Sequence, residues 1–417
     1  MGNFGTKEKK IAVLLSNFPR LKEIIKKNYQ RLTFLFNKKN YKYKTLYPMS
    51  VVDESSDSSF FGYYDKSPEN DSGDKIIYYI TTYDTKKAPN IEHPIEIVLK
   101  CLKTNTLRVI DKTYAYNWQQ GSKMMWLNNE KFIYNIYSKE LNEYKSKIYN
   151  TRLDSYLTLD LPIYDCFKES YALTLNFNRL MILRPDYGYR NYNEKIDFEN
   201  YNLDGIFKLS IKQNTSFLLI SIKQIIEFNP LPSMNGAKHK VNHIMISPDG
   251  TRFMFMHRWL AKSGKRYDRL LVSDSNNGNF KIVSDGEMVS HCCWKDNNTI
   301  VGYLRHDNTD GFYKIDLNDW SISKLSNKLN EFSDGHPTFN LDHMVFDSYP
   351  DRSRMKKLYI YDSINDQVTL MGEFFESIKF NNESRCDLHP RFNKNKSAIY
   401  IDSVHSGKRK LYKLNLN

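Results

Sequence analysis

Short hydrophobic runs separated by polar turn residues extend along most of the chain. The clearest of these runs cover residues 75–81, 131–136, 252–256, 344–347 and 398–402. Each run is rich in β-forming side chains and is bounded by Asn, Asp, Gly or Ser, a pattern that predicts short strands. Residues 21–39 differ, because their apolar side chains recur at helical spacing beside a basic outer face. We therefore predict an all-β protein with a short N-terminal helix.

A recurring turn motif indicates which all-β fold the chain adopts. An apolar residue, two variable positions, Asp or Asn, and a further polar residue or Gly stand before a hydrophobic strand. Clear copies begin at Ile246, Trp294, Phe339 and Phe392, and weaker copies lie at Ser67, Trp126 and Phe177. Repeats of roughly 40 to 50 residues with four short strands each are typical of propeller blades. The chain therefore predicts a seven-bladed β-propeller over residues 46–417, preceded by a helical extension over residues 1–45. A pair of β-sandwiches is the alternative, and it predicts no common register between repeats.

Four histidines occupy the same position in this repeat. His243, His291, His336 and His389 each stand three residues before the turn. The start of a blade's first strand and the end of its second strand lie on one face, so these histidines are expected at one mouth of the channel. A lone histidine at a strand start usually hydrogen-bonds to the backbone. A convergent set of neutral imidazoles instead suits a divalent transition metal such as Mn, Fe, Ni or Zn.

Further polar and aromatic residues are expected at the same mouth. Those at or near the ends of second strands and the start of the last repeat are His257, Arg258, Arg305, His306, Tyr349, Arg385, Arg391 and His405. The planar guanidinium groups of the four arginines in this set suit carboxylates, sulfates or phosphates. In the front half, Tyr63, Trp118 and Gln120 stand at about the histidine register, where they would stack on sugars or bind hydroxyls. Packing between blades is the alternative for the aromatic pair.

The charge of the chain favours an anionic partner. The 417 residues include 61 Lys+Arg and 48 Asp+Glu, which leaves a net charge of +13. Nucleic acid, a membrane surface or an acidic glycan would each match this charge. The basic residues are dispersed and no stacked-aromatic RNA motif occurs, which disfavours nucleic acid.

Cysteine usage and hydropathy indicate a cytoplasmic protein. The five cysteines are odd in number, are scattered and form no CxxC pair, so a disulfide framework or a zinc ribbon is not expected. No apolar run reaches the roughly 18 residues of a transmembrane helix. The N-terminal apolar run, Ile11 to Leu15, is too short for a signal sequence.

Four ordered segments resemble the oligogalacturonate lyase family and related propeller polysaccharide lyases. They are Asn242 to Arg258, Asp334-Gly-His-Pro337, Asp347 to Asp351 and Arg385-Cys-Asp-Leu-His-Pro-Arg391. The resemblance covers about residues 240–417. It implies a seven-bladed propeller enzyme that shortens uronic-acid oligomers by metal-dependent β-elimination, with manganese as the expected metal and an acidic oligosaccharide or polysaccharide as the substrate.

The resemblance also implies roles for individual residues. His243 is the expected base and Arg258 the clamp on the substrate carboxylate, while His291, His336 and His389 would bind the metal. The family pattern has a glutamine ligand shortly before a metal histidine, and no glutamine stands there in this chain. Asp334 or Asp387 is the expected replacement.

Two other classes of function remain open at the level of the sequence. A different glycan enzyme, acting like a glycosyltransferase in surface-polysaccharide synthesis, is one, although no Gly-rich phosphate loop or βαβ unit is present. A non-catalytic propeller scaffold is the other. Histidines concentrated at one mouth favour the carbon–oxygen lyase over both.

Overall fold

The computed structural model describes residues 19–191, 197–285 and 288–416. Within these ranges the strands form seven antiparallel sheets, six with four strands and one with five. The predicted seven-bladed β-propeller is therefore confirmed. We number the sheets as blades in the order in which their strands begin after residue 57.

The N-terminal part contributes a helix and two short strands. They are α1 (Pro19–Asn37), β1 (Tyr43–Thr45) and β2 (Met49–Val51). The helix covers most of the range that the periodicity predicts and lies about two residues earlier.

The strands of the first three blades follow in chain order. Blade 1 consists of β3 (Ser58–Phe60), β4 (Lys75–Thr81), β5 (Ile95–Cys101) and β6 (Leu107–Thr113). Blade 2 consists of β7 (Met125–Trp126), β8 (Lys131–Ser138), β9 (Glu143–Asn150) and β10 (Ser155–Leu159). Blade 3 consists of β11 (Asp165–Phe167), β12 (Tyr171–Leu175), β13 (Gly205–Ser210) and β14 (Thr215–Ser221).

The remaining four blades complete the ring. Blade 4 consists of β15 (Lys238–Ile246), β16 (Arg252–Leu260), β17 (Arg266–Asp274) and β18 (Phe280–Ser284). Blade 5 consists of β19 (Val289–Asp296), β20 (Thr299–His306), β21 (Thr309–Asp316) and β22 (Ile322–Lys324). Blade 6 has β23 (Thr338–Asn340), β24 (His343–Asp347), β25 (Met355–Asp362) and β26 (Gln367–Phe375), and blade 7 has β27 (Arg391–Phe392), β28 (Ala398–Ser403) and β29 (Lys410–Asn415).

The ring is closed by pairing the N-terminal strands with the last two blades. Strand β2 adds the fourth strand of blade 7, with Met49 opposite Leu414 and Val51 opposite Tyr412. Strand β1 adds a fifth, outermost strand to blade 6. The two ends of the chain therefore hold the propeller together. The predicted domain boundary between residues 45 and 46 stays a prediction.

Burial follows the position of a strand within its blade. Every residue of β12 and of β28 is buried, because these inner strands contact neighbouring blades on both faces. Strands covered on both sides read as continuous hydrophobic runs. The outermost strand of blade 2, β10, has only its last residue buried. Large apolar clusters fill the spaces between blades.

One predicted turn is a helix instead. The copy of the turn motif at Phe177 is the start of α2 (Phe177–Leu183). The Asn176 side chain accepts a hydrogen bond from the Arg179 backbone N–H at 3.0 Å, and such a cap favours helix initiation. The turn of blade 3 lies earlier, between β11 and β12. A third helix, α3 (Ile222–Glu227), follows β14.

Candidate metal centre

The four register histidines meet where neighbouring first strands approach one another. His243 lies on β15 and His291 on β19, while His336 and His389 stand shortly before β23 and β27. Ring centroids lie 5.8 Å apart for His243 and His291, 4.0 Å for His291 and His336, and 4.3 Å for His336 and His389. All four side chains are buried. The shared register therefore produces one histidine cluster, the name used below for these four residues.

Two of these histidines have strained backbones. His243 has a φ of 53° and His389 a φ of 46°, in the left-handed region that non-glycine residues rarely occupy. The pairing of β15 with β16 shifts register between Asn242 and Met245, on either side of His243. Irregularities of this kind re-aim side chains and concentrate at functional sites.

Asp347, the last residue of β24, holds two members of the histidine cluster in place. Its Oδ1 accepts from the backbone N–H of His336 and faces His336 Nδ1, both at 2.8 Å. Its Oδ2 accepts from the backbone N–H of His389 at 3.1 Å. Gly335 permits this approach, since a Cβ there would collide with the Asp347 backbone oxygen. A carboxylate on Nδ1 leaves the lone pair of His336 Nε2 available to a metal.

His336, His389 and Asp387 present a set of potential metal ligands. Their ligand atoms all lie within 4.8 Å of one another. The Nε2 atoms of His336 and His389 are buried and have no hydrogen-bond partner among the described residues. Buried polar atoms are normally paired, so these two nitrogens are available to coordinate a metal ion. Two imidazoles and one carboxylate suit a divalent transition metal.

The charges around Asp387 keep it ionised. Lys356 Nζ lies 3.0 Å from its Oδ1 and Arg385 Nε 2.7 Å from its Oδ2. Burial alone would raise the pKa of Asp387, but Lys356 and Arg385 hold it well below the usual range. Burial and the neighbouring His336 lower the pKa of His389 well below its ordinary value. At neutral pH both groups therefore have the protonation state that binds metals.

The predicted ligand His291 stands beside this set. Its Nδ1 faces Asp334 Oδ1 at 3.1 Å, and the Ser290 hydroxyl donates to Asp334 Oδ2 at 2.6 Å. Burial is the main reason that the pKa of His291 is lowered. A metal role for His291 stays a prediction. Of the two aspartates expected in place of the family's glutamine, Asp387 lies with His336 and His389.

His243 is paired with a tyrosine from blade 1. The Tyr63 hydroxyl and His243 Nε2 lie 2.5 Å apart, and His243 Nδ1 is buried without a partner among the described residues. Burial, followed by the charge of Arg258, lowers the pKa of His243 well below its ordinary value. Burial raises the pKa of Tyr63 well above its ordinary value. The pair therefore combines a neutral imidazole with a protonated phenol.

Three further predicted residues lie next to the histidine cluster. Arg258 faces Asp268 at 2.7 Å and donates to the Val289 carbonyl at 3.0 Å. Tyr349 is half-buried, with its ring centroid 6.1 Å from that of His336. Arg385, described above with Asp387, is also half-buried. All three side chains are partly exposed.

Gln120 is connected to the cluster through a tyrosine. Its side-chain amide donates to the Tyr164 hydroxyl at 3.2 Å, and that hydroxyl accepts from the His243 backbone N–H at 3.1 Å. Gln120 is itself buried. It therefore supports His243 from behind and does not lie at an open surface.

Trp118 and Arg391 are parts of the protein interior and not of an open mouth. Trp118 is 1% exposed and packs on Phe60 and Tyr116, with centroid distances of 5.4 and 5.2 Å. Arg391 is also 1% exposed, and its guanidinium donates to the carbonyls of Gly62 and His389. Both side chains are covered by neighbouring blades, and their contact with substrate stays a prediction.

His257 faces away from the cluster. Its ring nitrogens contact His239 Nδ1 at 2.9 Å and Arg269 Nε at 3.0 Å. Neighbouring residues of a strand point to opposite faces, so His257 and Arg258 cannot both face the site. The structure therefore does not bring His257 to the histidine cluster, and its contact with substrate stays a prediction.

The other three predicted mouth residues make separate local contacts. Arg305 pairs with Asp310 at 2.7 Å across the β20–β21 hairpin, and His306 lies beside Tyr313. His405 is enclosed by Tyr43 and Tyr412, with both centroid distances at 4.6 Å. None of these contacts involves the histidine cluster, and the roles of these three residues in substrate binding stay predictions.

A segment after α2 covers the cluster. The ring of Tyr187 lies 5.5 Å from that of His243 and 6.0 Å from that of Tyr63. Asp186 pairs with Arg385 at 2.5 Å, and Arg190 pairs with Glu383. The inserted loop of blade 3 is thus attached to the segment that leads into blade 7.

The carboxylates of the site were weakly marked in the sequence. Asp334 and Asp387 each stand two residues before a cluster histidine, and both are expected from the sequence as candidate replacements for the family's glutamine. Asp347 opens one of the segments that carry the resemblance, but neither Asp347 nor Tyr64 is predicted from the sequence as a site residue. Tyr64 donates to the Cys292 carbonyl at 2.9 Å, and its ring lies 5.4 Å from that of His336.

Comparison with known proteins relates the chain to solved structures only. No protein-family model matches the chain, and no curated protein matches its sequence. An oligogalacturonate lyase in complex with manganese is 14% identical, with a TM-score of 0.64 over 90% of this chain and 95% of that one. An oligogalacturonate lyase from Vibrio parahaemolyticus is 12% identical, with a TM-score of 0.61 over 90% and 97%.

A propeller of a different activity is also similar. The β-propeller domain of the Trilobed protease from Pyrococcus furiosus is 10% identical, with a TM-score of 0.50 over 86% of this chain and 97% of that one. Within the part of the chain that is described, no helix is long and apolar enough to span a membrane. At these identities the similarity concerns the fold, and the chain has the seven-bladed propeller fold found in oligogalacturonate lyases.

Proposed function

We propose that the protein is a lyase that cleaves acidic, uronate-containing oligosaccharides by metal-assisted β-elimination. The observation that carries this proposal is the pair of buried, unpartnered Nε2 atoms beside an ionised Asp387. They lie in a propeller with the fold of an oligogalacturonate lyase that binds manganese. We propose manganese as the metal, held by His336, His389 and Asp387, with His291 as a further ligand.

The reaction requires that a weakly acidic C–H next to a carboxylate loses its proton. A bound divalent metal supplies a Lewis acid that neutralises the substrate carboxylate and the charge developing beside it. Arg258 adds a guanidinium that binds the same carboxylate from the His243 side. Positive charge at this point favours the anionic transition state over the bound substrate.

His243 and Tyr63 are the proposed proton carriers. Neutral His243 accepts the proton from the carbon next to the carboxylate. Tyr63, which burial keeps protonated, orients the imidazole and is the nearest group able to donate to the leaving glycosidic oxygen. Tyr349 and Arg385 lie on the exposed side and would contact the sugar.

The cysteines agree with a reducing compartment. Cys101, Cys166, Cys292, Cys293 and Cys386 are all free, and disulfides are rare in the cytosol. We therefore propose that the lyase acts in the cytoplasm on oligosaccharides that are already short enough to be imported.

The test of this function is a direct assay. We expect the protein, supplied with Mn²⁺ and oligogalacturonate, to produce a C4–C5 double bond that is seen as a rise in near-ultraviolet absorbance. His336→Ala should abolish the rise and also the increase in melting temperature on adding Mn²⁺, since a ligand stabilises only the state that binds it. His306→Ala, a histidine outside the cluster, is the matched control. No absorbance change with any of a panel of uronate oligomers would exclude the lyase.

A further inference from the structure

Helix α1 turns a row of apolar side chains away from the propeller. Ile25, Leu32 and Phe36 are spaced seven and four residues apart, so they share one face of the helix, and Leu35 lies beside them. These four side chains are 41%, 57%, 87% and 69% exposed, in that order. A surface helix normally buries its apolar stripe against the protein core. In α1 the apolar stripe, the name used below for these four residues, faces outward.

A different side of α1 contacts the propeller. Gln30, Thr33 and Phe34 are half-buried, and the ring of Phe34 lies 5.6 Å from that of Phe375 at the end of β26. The helix is therefore attached to blade 6 through a side that is largely polar. Contiguous exposed apolar patches on a protein surface commonly mark sites that bind a membrane or another protein.

Positive charge surrounds the apolar stripe. Residues 19–44 contain nine Lys or Arg and a single acidic residue, Glu23. Arg31 within α1 and Lys38 and Lys39 just after it are all exposed. A helix that combines basic residues with an open face of Leu, Ile and Phe is typical of helices that lie in a membrane interface.

This combination distinguishes between the surfaces that could cover the apolar stripe. A nucleic acid would neutralise the basic residues through its phosphates, but phosphates offer nothing apolar to Leu35 and Phe36. A second copy of the chain would bring two strongly basic helices together, and like charges repel. A bilayer with anionic lipids meets both requirements, because its acyl chains accept the apolar side chains and its headgroups attract the lysines.

We propose that α1 attaches the protein to the surface of a membrane that contains anionic lipids. The helix lies parallel to the bilayer, with the apolar stripe at the boundary between headgroups and acyl chains. Its contact with Phe375 holds it against blade 6, so the propeller is carried to the membrane with it. The cytoplasmic leaflet is negatively charged, which makes it a suitable surface. The proposal does not depend on the proposed lyase activity.

Flotation of the full-length protein with lipid vesicles tests the attachment. We expect binding to vesicles of phosphatidylcholine with roughly 30% phosphatidylglycerol, and weaker binding to phosphatidylcholine alone or at high salt, which screens the headgroup charge. Leu35→Ser combined with Phe36→Ser should bind at least about 10-fold more weakly, since two apolar side chains no longer leave water. Lys38→Gln combined with Lys39→Gln should lose roughly 10-fold on the anionic vesicles.

Leu153→Ser combined with Ile364→Ser is the matched control, because these residues are 69% and 73% exposed on hairpins of blades 2 and 6. It should bind as the wild type does, and all three double variants should melt at the wild-type temperature, since exposed side chains contribute little to stability.

Two results would exclude the membrane. The first is wild-type protein that binds no anionic vesicles, and the second is Leu35→Ser combined with Phe36→Ser that binds them as tightly as the wild type. If the wild type binds no vesicles but forms a dimer that this double variant loses, the apolar stripe is an interface between copies of the chain. None of these outcomes alters the result of the lyase assay.

Discussion

Asp347 illustrates how single residues organise the site. One carboxylate accepts from two backbone N–H groups and faces one imidazole nitrogen, and these groups belong to segments of two different blades. Its position therefore sets both the orientation of His336 and the path of the chain at His389. Residues that orient metal ligands in this way contribute to affinity without touching the metal.

Replacing Asp347 by Asn should weaken metal binding. An amide holds the His336 ring less firmly and does not polarise its Nδ1–H, so Mn²⁺ affinity should fall by roughly 10- to 100-fold. Titration calorimetry measures this directly. Asp71→Asn, which alters only a surface ion pair with Lys394, is the control. An unchanged affinity in Asp347→Asn would contradict the orienting role.

Tyr63 should act on the reaction and not on the metal. Tyr63→Phe removes the hydroxyl that lies 2.5 Å from His243 Nε2 but keeps the ring that packs in the site. We expect kcat to fall by about 100-fold, as is typical when one proton-transfer group is lost, while Mn²⁺ binding remains unchanged. Steady-state kinetics with trigalacturonate provide the measurement. Equal losses of metal affinity and activity would instead indicate a structural role.

At the level of elements, the loop after α2 and the strands β1 and β2 stabilise different parts of the structure. The loop after α2 lies over the histidine cluster and is attached to blade 7 by ion pairs from Asp186 and Arg190. The short strand β2 pairs with the last strand of the chain, β29, and β1 pairs with β26 of blade 6. Site coverage and ring closure are thus carried by separate parts of the chain.

Because β2 closes the ring by backbone pairing, a proline in β2 should lower the stability of the protein. Ser50 is exposed and lies opposite Lys413 in the pairing of β2 with β29. Ser50→Pro removes a backbone donor from the pairing of β2 with β29, so the unfolding free energy should fall by roughly 2 kcal/mol. Urea denaturation checks this, with Ser50→Thr as the control that keeps the donor. Equal stability of both variants would show that β2 does not hold the ring.

At the scale of the whole molecule, buried neutral histidines should make stability depend on pH. Burial lowers the pKa of His405 to about 4, and burial is also the main cause that lowers the pKa of His239 to about 4. Both bind protons near pH 6.5 when unfolded. Their contribution is therefore complete above about pH 6.5 and is lost as the pH falls towards 4.

Thermal melts between pH 7 and pH 5 measure this effect. The loss from His405 alone is at most about 2 kcal/mol over that range. His405→Phe, which keeps a ring between Tyr43 and Tyr412, should flatten the decline. His93→Phe, at an exposed site, should leave the decline unchanged. A wild-type slope in His405→Phe would show that this side chain is not held neutral.

The fold was predictable because a propeller repeats one local pattern. The turns at Ile246, Trp294, Phe339 and Phe392 each join a blade's first and second strands, and the length of the repeat fits a four-stranded blade. The copy at Phe177 failed, because a capping residue at Asn176 made a helix more favourable there. Repetition therefore predicts the number of blades better than it predicts what is inserted between strands.

In the candidate site, the sequence could place only those residues that share one position of the repeat. The four histidines occupy one position of the repeat, and an equivalent position in each blade reaches the same end of the channel. Trp118 packs between blades, and nothing in its sequence neighbourhood distinguishes such an aromatic from one that faces solvent. His257 points away from the cluster, because successive residues of a strand point to opposite faces.

The order of residues along the chain already specified the all-β architecture, the blade count and the convergence of His243, His291, His336 and His389, since each of these depends on local periodicity. It did not specify Asp347 as their anchor, or which of Asp334 and Asp387 lies with His336 and His389 as a potential metal ligand. Those features depend on which side chains of distant segments come within hydrogen-bonding distance, and on how far burial and neighbouring charges shift their ionisation. These contacts and pKa shifts arise only when the chain has folded into the closed ring.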